Sequence, residues 1–180
     1  MTAPSLAFQL ETQINPANRT AFDPGVREEI LAAALAASPE KGSIPVAGLL
    51  VGHHGESESR VTGWISLGAF QSHDALEAAL RIEMARQKRN GVACLGWFRS
   101  QPSGASRATS EDLQLFSRAF PKRWQMTLVV RPAYRRPAQF SLYLRDTKGF
   151  VRPEAPTESF FLFPTVAARP KVHPLVTALA

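Results

Sequence analysis

Cysteine is all but missing from this sequence: Cys94 stands alone among 180 residues, so no intramolecular disulfide braces the fold and a packed core must hold it. Its neighbours Ala93 and Leu95 place it in an apolar run, which reads as a small buried hydrophobe rather than a nucleophile. Long apolar runs are missing too. No stretch approaches the roughly 20 uninterrupted apolar residues that cross a bilayer. Met1 to Asn15 has neither a basic cluster ahead of an apolar run nor a small-residue cleavage site, so a cytoplasmic chain without membrane contact is expected. Histidine is scarce and dispersed. His53 and His54 would point to opposite sides of an extended segment, His73 opens a helix, His173 lies near the end, and none has a partner at metal-ligand spacing. No internal repeat is visible.

What the sequence does contain is enough apolar residue, 44%, against 20% charged, to build one core. A single domain over residues 1–163 is expected, followed by a tail over 164–180 in which proline and alanine recur without period. The formal charge is +6. Arg118, Lys122, Arg123, Arg131, Arg135 and Arg136 concentrate it, either as a patch for phosphates or an acidic protein surface, or as an ordinary solvated face. Only Tyr134 interrupts these charges with an aromatic ring, so nucleic-acid binding ranks below a protein partner.

Hydrophobic spacing sets the order of elements. Asp23-Pro24 announces a helix carrying Val26, Ile30, Ala33, Ala34 and Ala37 on one stripe, closed by Pro39. Val46 to Gly52 is a short apolar run that enters a turn at His53, and Arg60 to Leu67 resumes strand character, giving an antiparallel hairpin. Ser72 to Arg89 reads as a second helix with Leu76, Ala79, Leu80, Ile82 and Met84 as its apolar surface and Gly91 as terminator. Val92 to Phe98 is a strand, Arg99 to Ala108 a polar loop, and a third helix begins at Thr109 and ends at Pro121. Strands at Met126 to Val130 and Gln139 to Arg145 follow. A turn at Asp146 to Gly149 and an edge strand at Ser159 to Phe163 complete the domain. The mixture predicts an α/β fold, a mixed sheet flanked by helices.

Gly91 to Asp112, a strand, a loop and a helix start, resembles the heart of the MPN (JAB/JAMM-like) metalloprotease family. There a strand ending in Gly-Trp-Tyr leads into His-Ser-His-Pro, a loop and Ser-x-x-Asp. Gly96-Trp97-Phe98 matches the strand end, Ser100 and Pro102 the loop, and Thr109-x-x-Asp112 the helix start. Upstream, Gly48-Leu-Leu-Val-Gly52 is similar to the family's Gly-Leu-Leu-x-Gly strand, and the likeness extends over about Asp23 to Asp146. The resemblance implies a cytidine deaminase-like three-layer arrangement.

The family's chemistry does not follow. Where active members carry two zinc-binding histidines, an aspartate and a general-base glutamate, this chain has Arg99, Gln101, Asp112 and Pro45. A guanidinium only donates and a Gln carbonyl ligates zinc poorly beside imidazole, so the resemblance implies no metal, no cofactor and no catalytic residue. Thr109 and Asp112 also fit a capping box, and Arg99 is placed to neutralise Asp112 in place of a cation; the other reading of Arg99 to Ala108 is a plain polar surface loop. Three functions are expected in descending order. The first is a catalytically silent MPN-like scaffold that binds a protein partner, another such chain or itself, through the apolar stripes of its first two helices if the sheet leaves them uncovered. The second is an isopeptidase or deubiquitinase-type hydrolase with a rearranged site, and the third is nucleic-acid binding by the basic residues.

Overall fold

Strands form where apolar residues come in short runs and helices where they recur every third or fourth position, and glycine decides how closely these elements approach. The structure, a computed structural model, describes residues 19–37, 44–133 and 136–163. In chain order the elements are β1 (Arg19–Phe22), α1 (Val26–Ala36), β2 (Val46–His54), β3 (Glu58–Ala69), α2 (His73–Arg89), β4 (Ala93–Ser100), α3 (Ser110–Ala119), β5 (Met126–Arg131), β6 (Ala138–Leu144) and β7 (Glu158–Leu162). All seven strands join one sheet in the order β1-β3-β2-β4-β5-β6-β7. β1 runs parallel to β3 and β4 parallel to β5, while the other neighbours are antiparallel, so the sheet is mixed and the fold is α/β as expected.

The two faces of the sheet have separate cores. On one, α1 lays Val26, Ile30, Leu31 and Ala34 against Leu50, Val61, Phe98, Leu128, Val130 and Phe140. On the other, Leu76 and Leu80 of α2 and Leu115 and Phe116 of α3 pack with Phe120 against Leu49 and Trp97. Trp97 and Phe98 are adjacent and both wholly buried, which the alternation of a strand covered on both faces requires. Gly96 sits at a bulge where β4 slips against β2, and a Cβ there would run into the carbonyl oxygen of Met126. Gly48 is equally constrained, because a Cβ would strike the Phe98 ring. Among the described residues no helix is long and apolar enough to cross a membrane.

Several expectations need correction. Asp23 does not cap α1: Gly25, at φ 90°, is the N-cap, Asp23 accepts from Val26 N through its backbone oxygen, and its carboxylate turns to Arg60 at 3.3 Å. β1 has no counterpart in the sequence reading. The α1 stripe is covered by the sheet and offers no docking face, whereas Ile82, expected among the apolar surface of α2, is 73% exposed. The tail at 164–180 and the α1 terminator Pro39 lie outside the described residues.

Candidate functional site

Five element ends meet at one place. Pro45 precedes β2 and accepts through its carbonyl from Phe70 N, just past β3, at 3.1 Å. Val46 N donates to Ser100 Oγ at 3.0 Å, tying the start of β2 to the end of β4. α2 begins alongside at His73, its first turn capped by Ser72, whose Oγ accepts from Ala75 N at 3.2 Å. α3 begins at Thr109 with a full capping box: Thr109 Oγ1 accepts from Asp112 N at 3.2 Å, and Thr109 N donates back to Asp112 Oδ2 at 2.7 Å. An open cleft of about 290 Å³ lies between them. Pro45, Phe70, His73, Arg99, Gln101 and Thr109 line it together with Pro102 and Ser103.

Asp112 is the charge at its base, 1% exposed. Arg99 donates from Nε to Oδ2 at 2.7 Å, with Nη2 also 2.7 Å from that oxygen, and Arg99 is itself buried. His73 Nε2 lies 2.9 Å from Oδ1. An ionised carboxylate only accepts, so the proton of that contact sits on His73 Nε2. Burial alone would push the Asp112 carboxyl up, but the hydrogen bond and charge of Arg99, with His73 and the Thr109 N–H, outweigh it and hold the carboxyl below its ordinary value. The fold thus brings together Arg99 and Asp112 as a salt bridge, and it adds an imidazole that sequence reasoning missed. His73 precedes Asp112 by 39 positions and belongs to another helix, and no local spacing signals the contact.

The loop that follows Arg99 is anchored, not a plain polar surface loop. Arg99 Nη2 donates to Arg107 O at 3.2 Å, and Ala108 N to Tyr143 Oη at 3.0 Å. Ser106, buried, donates to Val129 O at 3.3 Å and accepts from Ser141 Oγ at 3.1 Å. Gln101 is fixed through its backbone N–H to Val130 O at 2.7 Å, while its Oε1 is buried without a hydrogen-bond partner among the described residues. No group of three or more His, Cys, Asp or Glu side chains that could hold a metal ion occurs among the described residues.

The basic residues between positions 118 and 136 are held in different ways. Arg118 is bound to Glu77 at 2.6 Å, and Arg81 takes the other oxygen at 2.6 Å; the hydrogen bond from Arg118 is the main reason that the Glu77 carboxyl lies below its usual value. Lys122 stands over the Trp124 ring at 5.5 Å and Arg123 donates to the Thr147 carbonyl. Arg131, the last residue of β5, and Arg136, in the connection to β6, are exposed. Arg135 and Tyr134 lie outside the described residues. Cys94 is partly buried, and burial followed by the Glu83 charge raises its thiol.

Comparison with protein-family models gives no match, and neither does comparison with curated proteins. Among solved structures the chain is similar to the solution structure of protein DSY2949 from Desulfitobacterium hafniense, at a TM-score of 0.54 and 24% sequence identity, over 74% of this chain and 89% of that one. At that identity the likeness speaks for the fold alone.

Proposed function

We propose that the chain is an MPN-like domain of the three-layer, deaminase-like type that has lost zinc chemistry and works as a protein-binding or scaffold module. The observation that carries this reading is the Arg99–Asp112 pair: a buried guanidinium fills the position where a metal ligand stands in active members of the family and neutralises the carboxylate that would hold the cation. The convergence of Pro45, Arg99, Gln101 and Thr109 on one cleft, with Asp112 beneath it, supports the motif alignment, since those positions lie far apart in sequence. With Oδ2 taken by Arg99 and the Thr109 N–H and Oδ1 by His73, Asp112 has little capacity left for a cation. The partner is another MPN-like chain or a second copy, and it docks on the outer row of α2, where Ala75, Ala78, Ile82 and Ala85 are exposed at helical spacing.

The test is metal analysis of the purified chain beside an R99H/Q101H variant. Positions 99 and 101 both line the cleft, and Arg99 already reaches Asp112, so restoring both ligands should let the variant bind zinc one to one while the wild-type chain holds none in stoichiometric amount. Stoichiometric zinc in the wild-type chain overturns the silent reading. A folded variant that takes no zinc overturns the alignment with the family.

A hydrolase reading has one observation in its favour: His73 is oriented by Asp112, and Ser103 lines the same cleft. No side-chain hydrogen bond joins Ser103 to His73 among the described residues. Labelling of the wild-type chain by a serine-directed phosphonate, absent in S103A, would establish this alternative.

A further inference from the structure

The last three strands expose one row of side chains that combines a cation with aromatic rings. Arg131 pairs with Gln139, and Gln139 with Phe161, in register across β5, β6 and β7. The adjacent row, Val130, Phe140 and Phe160, packs into the core beneath α1, so alternation turns Arg131, Gln139 and Phe161 to the opposite face. On that face the loop bearing Ser106 roofs Val129 and Ser141 and stops there. Phe161 is left 63% exposed, and Phe163, two positions further on, 72%. Arg136, in the connection between β5 and β6, is exposed as well, and no carboxylate pairs with Arg131 or Arg136 among the described residues. Glu158, the one acid of β7, has the parity of Phe160 and belongs to the other face.

We propose that this row binds single-stranded nucleic acid, with Phe161 and Phe163 as stacking surfaces for unpaired bases and Arg131 and Arg136 as phosphate contacts. Every base has a π-face, so two exposed rings two residues apart, at the end of β7 and just past it, make a sequence-tolerant platform, and a duplex hides those faces. Charge favours this occupant over a second copy. A chain of formal charge +6 is drawn to a polyanion, whereas pairing the row with its twin sets arginines against arginines. The row begins beside the cleft wall, where Gln101 N donates to the Val130 carbonyl next to Arg131, and its joining of Arg131 to Phe161 was not legible in the sequence, where the two stand 30 positions apart.

Fluorescence anisotropy of the full chain with labelled oligo(dT) and oligo(U) of about 12 nucleotides, beside a duplex of equal length, tests the assignment. Single strands should bind, and the affinity should fall with salt. F161A should weaken binding about 5- to 100-fold. R131A should flatten the dependence of log affinity on log salt by about 0.7, the share of one phosphate contact on a single strand. Both side chains are exposed, so the variants should keep the wild-type circular dichroism and melting temperature. No binding up to the solubility limit overturns the proposal, as does F161A binding like the wild-type chain or a duplex binding as tightly as a single strand. A wild-type dimer that F161A dissociates, without oligonucleotide binding, assigns the row to a second copy instead. Zinc content does not enter the assay, so failure here leaves the silent MPN-like reading standing.

Discussion

Asp112 is a carboxylate withdrawn from water and surrounded by donors, and its energetics follow from that position. Taking one ion of a buried pair away leaves the other uncompensated, at a cost of about 3–5 kcal/mol, whereas replacing both by apolar groups of similar size costs far less. Asp112→Ala should therefore lower the unfolding free energy in urea by about that amount, since Arg99 would remain buried without its counter-charge. An R99M/D112L pair should recover part of the loss. The acid limb of the stability curve carries a second expectation. The carboxyl is held below its ordinary value by the Arg99 hydrogen bond and charge, against the opposing pull of burial, so its contribution is complete above the unfolded value of about 3.9 and fades as pH falls through the lower folded value. Unfolding free energies between pH 5 and 2 should fall more steeply for the wild-type chain than for Asp112→Asn. Arg99 and Asp112 were legible as a pair because the resemblance to a motif, read at positions 99 and 112, set them side by side. His73 was not, because its contact is made by the crossing of two helices and leaves no trace in local pattern.

Helices and strands whose periodicity is strong declared themselves in the sequence, and short ones did not. α2 and α3 were placed within a residue, their starts fixed by Ser72 and Thr109 and the end of α3 by Pro121. β1 escaped notice because Arg19–Phe22 has no alternation to read; its reason for being a strand is the open edge of β3, nearly forty residues later. α1 was found, but its start was misassigned, since a left-handed Gly25 ends the turn where Asp23-Pro24 was expected to begin the helix. At this scale the sharpest contrast is between a cap and a close approach. Thr109→Ala removes a hydroxyl that accepts from Asp112 N and should cost about 1 kcal/mol. Gly96→Ala drives a methyl into the Met126 backbone between two central strands, where no rotamer relieves it, and should cost about 3 kcal/mol or more. Thermal denaturation of the two variants side by side would show this difference, and equal melting temperatures would contradict it.

The whole molecule is a sheet with a core on either face, and its stability is graded from the centre outward. β2, β4 and β5 are flanked on both sides and bear residues almost wholly buried, while β1 and β7 are the outermost strands among the described residues. Amide hydrogen exchange should be slowest in Leu49, Leu50, Trp97 and Leu128 and fastest in the two outer strands. Uniform protection across all seven strands would contradict the gradient. The α/β class was readable from the alternation of elements, because each helix had an apolar stripe to bury. The clustering of Arg131 with Phe161 was not, since it depends on how three strands align.

The parallel seat of β1 carries a temporal consequence. A ribosome releases Arg19–Phe22 well before Glu58–Val61, the only neighbours that can accept its backbone hydrogen bonds among the described strands. During that interval Phe22 has no ring to meet, because Phe160, its eventual companion at 6.2 Å, lies far downstream in β7. The strand thus waits for its backbone partners until β3 emerges, and for its ring partner until β7 does.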